Sequence, residues 1–381
     1  MRVVVVSAWE PWRPGDGACL VLQAHLRELS ARHELVLLSA GAPTRRGRPP
    51  TLPVPARWYG RSVPAALDAL GRRVRTGTEP AHVGYVARPA LMADLREEIA
   101  SCRPDLVHLF GWGTAGLHRH LAGVPAVHDA VDPWAANLAN RARSRAARLL
   151  DTGQARRVRA HEDRHYPQLA AVVVRTDEDA DLLRAQVPGA AVRVVPNGVD
   201  VPPPGAPAHR PVLAFLGAYD ATSNVQAAQL LVRDVLPRVR ARAPAASALL
   251  IGRNPPGAVR SLDAEVTGMV PDVTAALRRA AVFVAPMESG VGVKNKVLQA
   301  MAAGLPVVAS PLAVQGIGAG DGVLVGSSAA ALADLVVELL GDPERRRRLG
   351  QANRDRAASE LSWTRSAALL EQVWQSCAST S

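Results

Sequence analysis

The stretch of sequence that decides the fold is Ala285–Ser310, which reads A-P-M-E-S-G-V-G-V-K-N-K-V-L-Q-A-M-A-A-G-L-P-V-V-A-S. An apolar, strand-like run ends where it begins, and a glycine-broken turn then leads to Lys294, Lys296 and a segment of helical composition. Such a loop opens a helix at the carboxyl end of a strand, where backbone N–H groups and the positive helix end favour anions. We therefore expect a phosphate or diphosphate here, with an ordinary α/β loop as the alternative.

Strand-like and helical stretches alternate along the 381 residues, which is the pattern of βαβ units and parallel sheets. The hydrophobic content of 48% is ample for two cores. The predicted strands are Val3–Val6, Leu35–Leu38, Leu106–Leu109, Ala126–Val127, Val172–Val174, Val192–Val195, Val212–Phe215, Ala248–Ile251, Val282–Ala285, Val307–Ala309 and Gly322–Val325. The predicted helices include Leu20–Arg32, Arg141–Arg164, Asn224–Arg242, Val273–Ala280 and Ala329–Leu340.

A proline-rich segment, Val201–Pro207, separates the two halves and predicts a stiff linker. We expect an α/β protein with one Rossmann-like domain over residues 1–203 and a second over residues 204–360. A C-terminal helix over residues 361–381 is expected to cross back to the first domain. Because ligands of open parallel sheets bind at the carboxyl ends of the strands, the predicted active site is a central cleft that the two domains face.

Composition and missing motifs exclude several classes of protein. The formal net charge is +11, but three phenylalanines and four tyrosines offer little base stacking, so a nucleic-acid partner is not expected. P-loop, HExxH and GxSxG motifs are missing, and no apolar run reaches the ~18 residues of a membrane helix. The three cysteines, Cys19, Cys102 and Cys377, fit a reducing cytoplasm and no metal site. The basic surface leaves a peripheral contact with the inner face of a membrane open.

Several further motifs surround the opening stretch. They are Pro211–Gly217, Asn224-Val225, Leu249–Pro255, Thr267–Asp272 and, before the linker, Val194–Asp200. Together with Ala285–Ser310 they resemble one family, the retaining, nucleotide-sugar-dependent "group 1" glycosyltransferases of the GT-B fold. The resemblance covers nearly the whole chain and is most specific in the second half.

The resemblance implies a donor site without a metal, in which cations and helix ends stabilise the leaving diphosphate. Arg253 and Lys296 are the catalytic cations that it assigns to the diphosphate, and Gly217, Gly292 and Val293 are the expected backbone donors. The remaining donor-binding residues that it implies are Gly17, Asn254, Val270, Glu288, Gly290, Lys294 and Gln299.

Two positions of the loop depart from the family pattern. Many members carry a Glu-x₇-Glu pair that contacts the sugar and the ribose hydroxyls, but this chain has Val291 and Gln299 at those positions. The amide of Gln299 still accepts a hydrogen bond from a ribose hydroxyl, without charge assistance. Glu288 lies three residues upstream and is the expected replacement for the sugar contact.

In the first domain, the resemblance assigns the loop that carries Asp16 and opens a helix near Gly17 to the cleft. Many members place a histidine near the donor sugar within a segment similar to Pro125–Asp132, and that position is Val131 here. Its neighbour Asp132 is the third catalytic candidate. The acceptor-side candidates are His128, Asp129 and Arg175, with a buried imidazole and helix-capping aspartates as the alternatives.

The predicted function is transfer of a sugar from a nucleotide donor, with uridine the expected base, to a hydroxyl acceptor with retention of anomeric configuration. The setting is secondary-metabolite or polysaccharide biosynthesis by a cytoplasmic, bacterial-type enzyme. No cofactor is expected, since the nucleotide sugar is a co-substrate. A non-catalytic nucleotide-sugar-binding protein of the same fold and a nucleotide-sugar epimerase are the alternatives, and the acceptor stays open.

Overall fold

The chain divides into two compact units in a computed structural model that describes residues 1–9, 17–41, 53–59, 80, 83–86, 89–135, 145–205, 210–290 and 292–379. The first unit comprises Met1–Pro196 and Ser366–Ser381, and the second comprises Asn197–Arg365. The division at Pro196 falls seven residues before the boundary expected at residue 203, at the Pro-Asn-Gly turn and not in the proline run. No helix in the described ranges is long and apolar enough to cross a membrane.

The first unit is built on a seven-stranded parallel sheet of order β3-β2-β1-β4-β5-β6-β7. Its strands are β1 (Arg2–Ser7), β2 (Glu34–Ser39), β3 (Ala56–Trp58), β4 (Leu106–Phe110), β5 (Ala126–Val131), β6 (Ala171–Val174) and β7 (Val192–Val194). Its helices are α1 (Gly17–Leu29), α2 (Val83–Val86), α3 (Pro89–Cys102), α4 (Arg145–His165) and α5 (Asp177–Gln186). Two 3₁₀ turns, Ala115–His120 and Tyr166–Gln168, complete the described part of this unit, apart from the C-terminal helix given below.

Mostly apolar sequences explain the central strands of this sheet, with His108, His128 and Asp129 as buried polar residues within β4 and β5. Every residue of β4, β5 and β6 is buried, as expected for strands that are covered on both faces. The strand β3 lies at one edge of the sheet, beside β2, and its sequence Ala-Arg-Trp is only partly buried. This edge strand has no apolar run, and the sequence did not predict it.

The second unit is built on a six-stranded parallel sheet of order β10-β9-β8-β11-β12-β13. Its strands are β8 (Val212–Leu216), β9 (Ser247–Ile251), β10 (Glu265–Gly268), β11 (Val282–Ala285), β12 (Val307–Ala309) and β13 (Val323–Val325). Its helices are α6 (Thr222–Leu230), α7 (Leu236–Arg240), α8 (Gly257–Arg260), α9 (Val273–Leu277), α10 (Asn295–Ala302), α11 (Ala329–Gly341) and α12 (Pro343–Ser359). A 3₁₀ turn, Pro311–Val314, follows β12.

All eleven strands expected from the sequence are present, so the predicted α/β class with two Rossmann-like domains is confirmed. The helix expected over residues 224–242 is interrupted by a π-helical segment, Leu231–Val235, between α6 and α7. The charged helix expected from residue 141 begins at Arg145 in the described part of the chain.

The C-terminal helix α13 (Trp363–Ala378) belongs largely to the first unit. Its Trp374 is 1% exposed and donates its indole N–H to Nδ1 of His108 on β4, at 3.2 Å. Near the start of the helix, Ser366 Oγ lies 2.9 Å from Nε2 of His25 and donates to the carbonyl of Pro196 at 2.6 Å. These buried polar contacts fix the last helix against β4 and α1 within the first unit.

Close helix packing in the second unit depends on Gly350 of α12. A Cβ built on Gly350 would lie 2.1 Å from the backbone oxygen of Gly304, which cannot retreat as a flexible side chain would. Gly341, the last residue of α11, has no atom within 4 Å of the same position. The two glycines therefore form a matched pair of helical positions, one crowded and one open.

We expect Gly350→Ala to lower the free energy of unfolding by about 2 kcal/mol or more, because overpacking outweighs the better helix propensity of alanine. Gly341→Ala should change it by less than about 1 kcal/mol, toward greater stability. Urea unfolding of both variants tests this. Equal stabilities would show that α12 moves freely enough to accept the methyl group.

Candidate functional site

The candidate site lies at the carboxyl ends of three adjacent strands of the second sheet, β9, β8 and β11. The strand order reverses between β8 and β11, and open parallel sheets bind ligands at such a switch point. The loop after β8 leads into α6, the loop after β9 carries Gly252 and Arg253, and the loop after β11 leads into α10. The predicted donor residues from these loops are therefore brought to one edge.

Two glycines allow the ends of β8 and β9 to approach closely. Gly252 has a φ of +139°, and a Cβ there would lie 1.8 Å from the carbonyl oxygen of Gly217. The N–H of Gly217 donates to the carbonyl of Ile251 at 2.9 Å. The expectation that Gly217 supplies a backbone N–H to a ligand is therefore wrong, because that N–H is already used. The glycine at position 217 matters for steric reasons, because a Cβ there would lie 3.0 Å from Asn224 on α6.

Lys296 is the central cation of this edge. It belongs to the first turn of α10, and its ammonium donates to Oδ1 of Asn224 and lies 4.9 Å from the ring centroid of Phe215. Burial of the ammonium, with repulsion from Lys294 as a smaller cause, lowers the pKa of Lys296 to about 7. A bound anion would strongly stabilise the ammonium of such a lysine, because it would compensate the hydration that burial removes.

Asn224 was not among the site residues predicted from the sequence, yet it orients Lys296. Its side chain is 8% exposed, and its Nδ2 donates to the carbonyl of Ala218 at 2.7 Å. Because the amide nitrogen is engaged there, the amide oxygen faces Lys296. The sequence predicted that Asn224 lies at the start of a helix. It could not predict the contact with Lys296, because the two residues are 72 positions apart in the chain.

Lys294 is 6% exposed, and its ammonium donates to the carbonyl of Gly292 at 2.5 Å. The loop bends back in this way because Gly290 and Gly292 have φ angles of +115° and +68°, which favour glycine. The half-buried Val293 packs against the core of the second unit. Val291, where the family pattern has a glutamate, lies outside the described residues.

Arg253 is held on one side by a carboxylate, and its predicted contact with the diphosphate stays a prediction. Its Nε donates to Oδ2 of Asp220 at 2.9 Å, and Nδ2 of Asn254 donates to the other oxygen of the same carboxylate at 2.9 Å. Asn254 has a φ of +54°, a conformation that asparagine tolerates. Asp220 was missed from the sequence, because the pair depends on the register in which Leu216 opposes Ile251.

The other predicted donor residues lie around this edge. Glu288 is exposed, and its neighbour Ser289 donates to Oε1 of Gln226 at 2.7 Å. Gln299 is half-buried on α10, and Val270 packs at the rim of the core. Their predicted ligand contacts stay predictions.

The Pro-Asn-Gly turn at the start of the second unit reaches the same helix end. Asn197 is 9% exposed, and its Nδ2 donates to Oδ1 of Asn295, the first residue of α10, at 2.9 Å. Gly198 packs against Trp363, whose backbone nitrogen would lie 2.5 Å from an added Cβ. The turn thus supports the lysine-bearing end of α10.

In the first unit, the acceptor-side candidates are engaged inside the sheet. Asp129 and Arg175 are 0% and 1% exposed and form an ion pair of 2.5 Å, while Nη1 of Arg175 donates to the carbonyl of Val195 at 3.0 Å. Arg175 is therefore a buried partner of Asp129 and not the open cation that the sequence suggested. Burial lowers the pKa of His128 to about 3, and its Nδ1 lies 3.2 Å from Oγ1 of Thr114. The buried-imidazole alternative for His128 matches this geometry.

Two predicted residues of the first unit remain accessible. Asp132 is half-buried at the end of β5, and Gly17 is the exposed first residue of α1. The N–H of Asp132 donates to the carbonyl of Ala130 at 2.8 Å within a tight turn. The preceding Val131 has a φ of +66°, which is rare for a β-branched residue. Asp16 lies outside the described residues.

Chemically, the second unit offers an anion site. The N-terminal end of α10, the ammonium of Lys296 and the nearby Lys294 place positive potential at a switch point. Among the described residues, no group of three or more histidine, cysteine, aspartate or glutamate side chains has the arrangement of a metal site.

Two family models match the chain, one in each half. The model described as "Glycosyltransferase Family 4" matches residues 16–202, and the model described as "Glycosyl transferases group 1" matches residues 210–342. No match among curated protein sequences was found. The two models meet close to the boundary between the units.

Similar solved structures have the same fold. HepE from Anabaena, solved with UDP-glucose, has a TM-score of 0.68 at 12% identity, with both chains covered completely. TarM has a TM-score of 0.69 at 10% identity, with 99% of this chain and 98% of TarM covered; a TarM mutant from S. aureus was solved with UDP and α-GlcNAc-glycerol. WaaG, a glycosyltransferase involved in lipopolysaccharide biosynthesis, has a TM-score of 0.60 at 13% identity, with 97% and 99% of the chains covered. With its two Rossmann-like units and both family matches, the chain belongs to the group 1 glycosyltransferases of the GT-B fold.

Proposed function

We propose that this glycosyltransferase transfers a sugar from a UDP-sugar to a hydroxyl group of a secondary metabolite or polysaccharide, with retention of anomeric configuration and without a metal. The observation that carries the proposal is the buried ammonium of Lys296 in the first turn of α10, at the switch point of the second sheet. The UDP-glucose in HepE supports the choice of donor. The donor diphosphate would supply negative charge beside Lys296, whose present partner, Asn224, is neutral.

Lys296 would act on the leaving group. Its ammonium now donates to the neutral amide oxygen of Asn224, and a diphosphate oxygen is a stronger, charged acceptor. The positive end of α10 would add electrostatic stabilisation where charge develops as the sugar leaves. Lys294 contributes positive potential from beside Gly292.

The proposed reaction needs no protein nucleophile. The bond from the anomeric carbon to the diphosphate oxygen breaks, the acceptor oxygen bonds to the same face of that carbon, and the departing diphosphate takes the acceptor proton. This differs from retaining glycoside hydrolysis, which uses two carboxyl groups. The amide oxygen of Gln299 would accept a hydrogen bond from a ribose hydroxyl, and Glu288 would contact the sugar.

We also place the reaction in the cytoplasm, because Cys19, Cys102 and Cys377 are all free thiols. The basic helix α4 is the candidate for a peripheral membrane contact.

The second candidate is a binding protein without turnover. The neutral Gln299 and the apolar Val131, at two positions where the family pattern has polar groups, favour it. This protein would bind UDP-sugars and form no product, so binding and turnover must be measured separately.

Binding of UDP should weaken as the pH rises through the pKa of Lys296. The free protein holds this lysine with a pKa of about 7, and a bound diphosphate raises that pKa because it favours the ammonium. Binding then takes up a proton above pH 7, and the dissociation constant should rise by up to about tenfold per pH unit between pH 7.5 and 9. Calorimetric titration with UDP in buffers of different ionisation enthalpy measures both quantities.

Lys296→Arg serves as the matched control, since a guanidinium keeps its charge over this range. Its affinity for UDP should not vary with pH between 7.5 and 9, and Lys296→Met should bind at least about tenfold more weakly than wild type at pH 7. Equal pH profiles for wild type and Lys296→Arg would show that Lys296 does not contact the diphosphate.

Turnover with UDP-glucose should give an α-glucoside, since the donor is an α-linked sugar and the proposed route retains configuration. Proton NMR of the product distinguishes the two anomers by the coupling of the anomeric proton. Lys296→Met should lower kcat/KM by about 100-fold or more, as loss of an electrostatic contact to the transition state does. A β-product would overturn retention, and UDP-glucose binding without any product would favour the second candidate.

A further inference from the structure

A cluster of tryptophans lies at the switch point of the first sheet. No step of the proposed donor chemistry uses these side chains. Trp9 follows β1 and Trp112 follows β4, and these two strands are neighbours at which the strand order reverses. Both side chains are half-buried. The chain has only seven tryptophans, and three of them, with Trp134, meet here.

The backbone of Trp9 is held in place by two buried serines. Ser7 Oγ donates to the carbonyl of Trp9 at 2.6 Å and accepts its N–H at 3.1 Å. Ser39 Oγ, on β2, donates to the same carbonyl at 3.1 Å. Both serines are 0% exposed, so the end of β1 is fixed where Trp9 leaves the sheet.

The indole of Trp9 rests on a glycine that leaves room for it. Gly111 has a φ of +90°, and a Cβ there would lie 2.7 Å from the Trp9 ring. The ring makes edge contacts with Phe110 and Trp112, with centroids 5.9 and 5.6 Å away and interplanar angles of 83° and 75°. Both geometries are favourable for aromatic pairs.

Trp112 is supported from its other side. It stacks on Trp134 at a centroid distance of 5.7 Å and an interplanar angle of 5°, and Trp134 is only 1% exposed. Trp134 therefore backs Trp112, while Trp9 and Trp112 keep part of their indole surface accessible. We call Trp9 and Trp112 the tryptophan pair.

The polar side chains described around the pair point to their own partners inside the unit. Thr114 donates to the carbonyl of Gly111 at 2.8 Å, and Asp129 is paired with Arg175. Sites for sugars need several polar side chains beside the aromatic ring, whereas apolar ligands need surface and few polar groups. Of the described polar residues at the end of β5, Asp132 is the one that is not buried.

We propose that the tryptophan pair binds the acceptor, and that the acceptor is a hydroxylated aromatic or polycyclic compound whose flat apolar rings pack on the two indoles. The proposal rests on the proposed function and assigns its acceptor class. Burial of ring surface and offset or edge-to-face contacts provide the affinity. The reaction that supplies this acceptor must then be one that builds or hydroxylates an aromatic or polycyclic ring system.

The probe for binding is 2-naphthol, titrated by calorimetry into the full-length protein, with methyl α-D-glucopyranoside as the sugar probe. We expect 2-naphthol to bind and Trp112→Ala and Trp9→Ala each to weaken it by about tenfold or more. Trp112→Phe should retain most of the affinity, since a ring remains. Trp58→Ala, at a half-buried tryptophan on β3 of the same unit, is the control and should bind as wild type does.

UDP affinity and melting temperature of each variant are measured in the same preparations. Unchanged UDP affinity with lost 2-naphthol binding assigns the tryptophan pair to the acceptor. If 2-naphthol does not bind, if it binds equally to Trp112→Ala and Trp9→Ala, or if the glucoside binds in its place, the inference is overturned while UDP binding leaves the donor site standing. If the wild-type protein does not bind UDP, the proposed function is refuted instead.

Discussion

The hydrogen bond between Lys296 and Asn224 is the interaction on which the donor end of the second unit depends. The amide of Asn224 bridges the carbonyl of Ala218, in the loop after β8, and the ammonium at the start of α10. One side chain thereby connects two loops that emerge on either side of the switch point. Since a neutral amide oxygen compensates a buried ammonium only in part, the pKa of Lys296 falls to about 7. A bound anion would therefore compensate the charge of Lys296 better than the amide of Asn224 does.

Binding of an anion here would depend on the protonation of Lys296 and on the glycines that bring the loops together. Lys296 reaches Asn224 because α6 packs close to the end of β8, and Gly217 leaves only 3.0 Å between its missing Cβ and Asn224. Gly252 brings β9 still closer to β8, since a Cβ there would lie 1.8 Å from the carbonyl oxygen of Gly217. A larger residue at either glycine would separate the loops before it met any ligand. The glycines of this edge therefore act by allowing the backbones to approach closely.

The sequence predicted the sheets well because their central strands are apolar runs with both faces covered. Val282–Ala285 is found with unchanged limits. The edge strands β3 and β10 were not predicted, since Ala-Arg-Trp and Glu-Val-Thr-Gly are short, half-exposed and mixed in polarity. For the site, local pattern identified Lys296 and the glycine loop. It could not identify Asp220 as the partner of Arg253, or Arg175 as the partner of Asp129, because these pairs depend on strand register across 33 and 46 residues.

Val131 shows that the interior can impose a backbone conformation that its side chain disfavours. Its φ of +66° is costly for a β-branched residue, on the order of 1–3 kcal/mol, and nothing in a valine side chain favours it. The surroundings impose the conformation. Oδ1 of Asp129 accepts the N–H of Val131 at 3.1 Å, and Arg175 holds the other oxygen of Asp129 within the interior.

The buried ion pair therefore sets the turn at the end of β5 and places Asp132 at its accessible end. Strained backbone positions cluster at sites that bind ligands, which agrees with the proposal that this edge of the first sheet binds the acceptor.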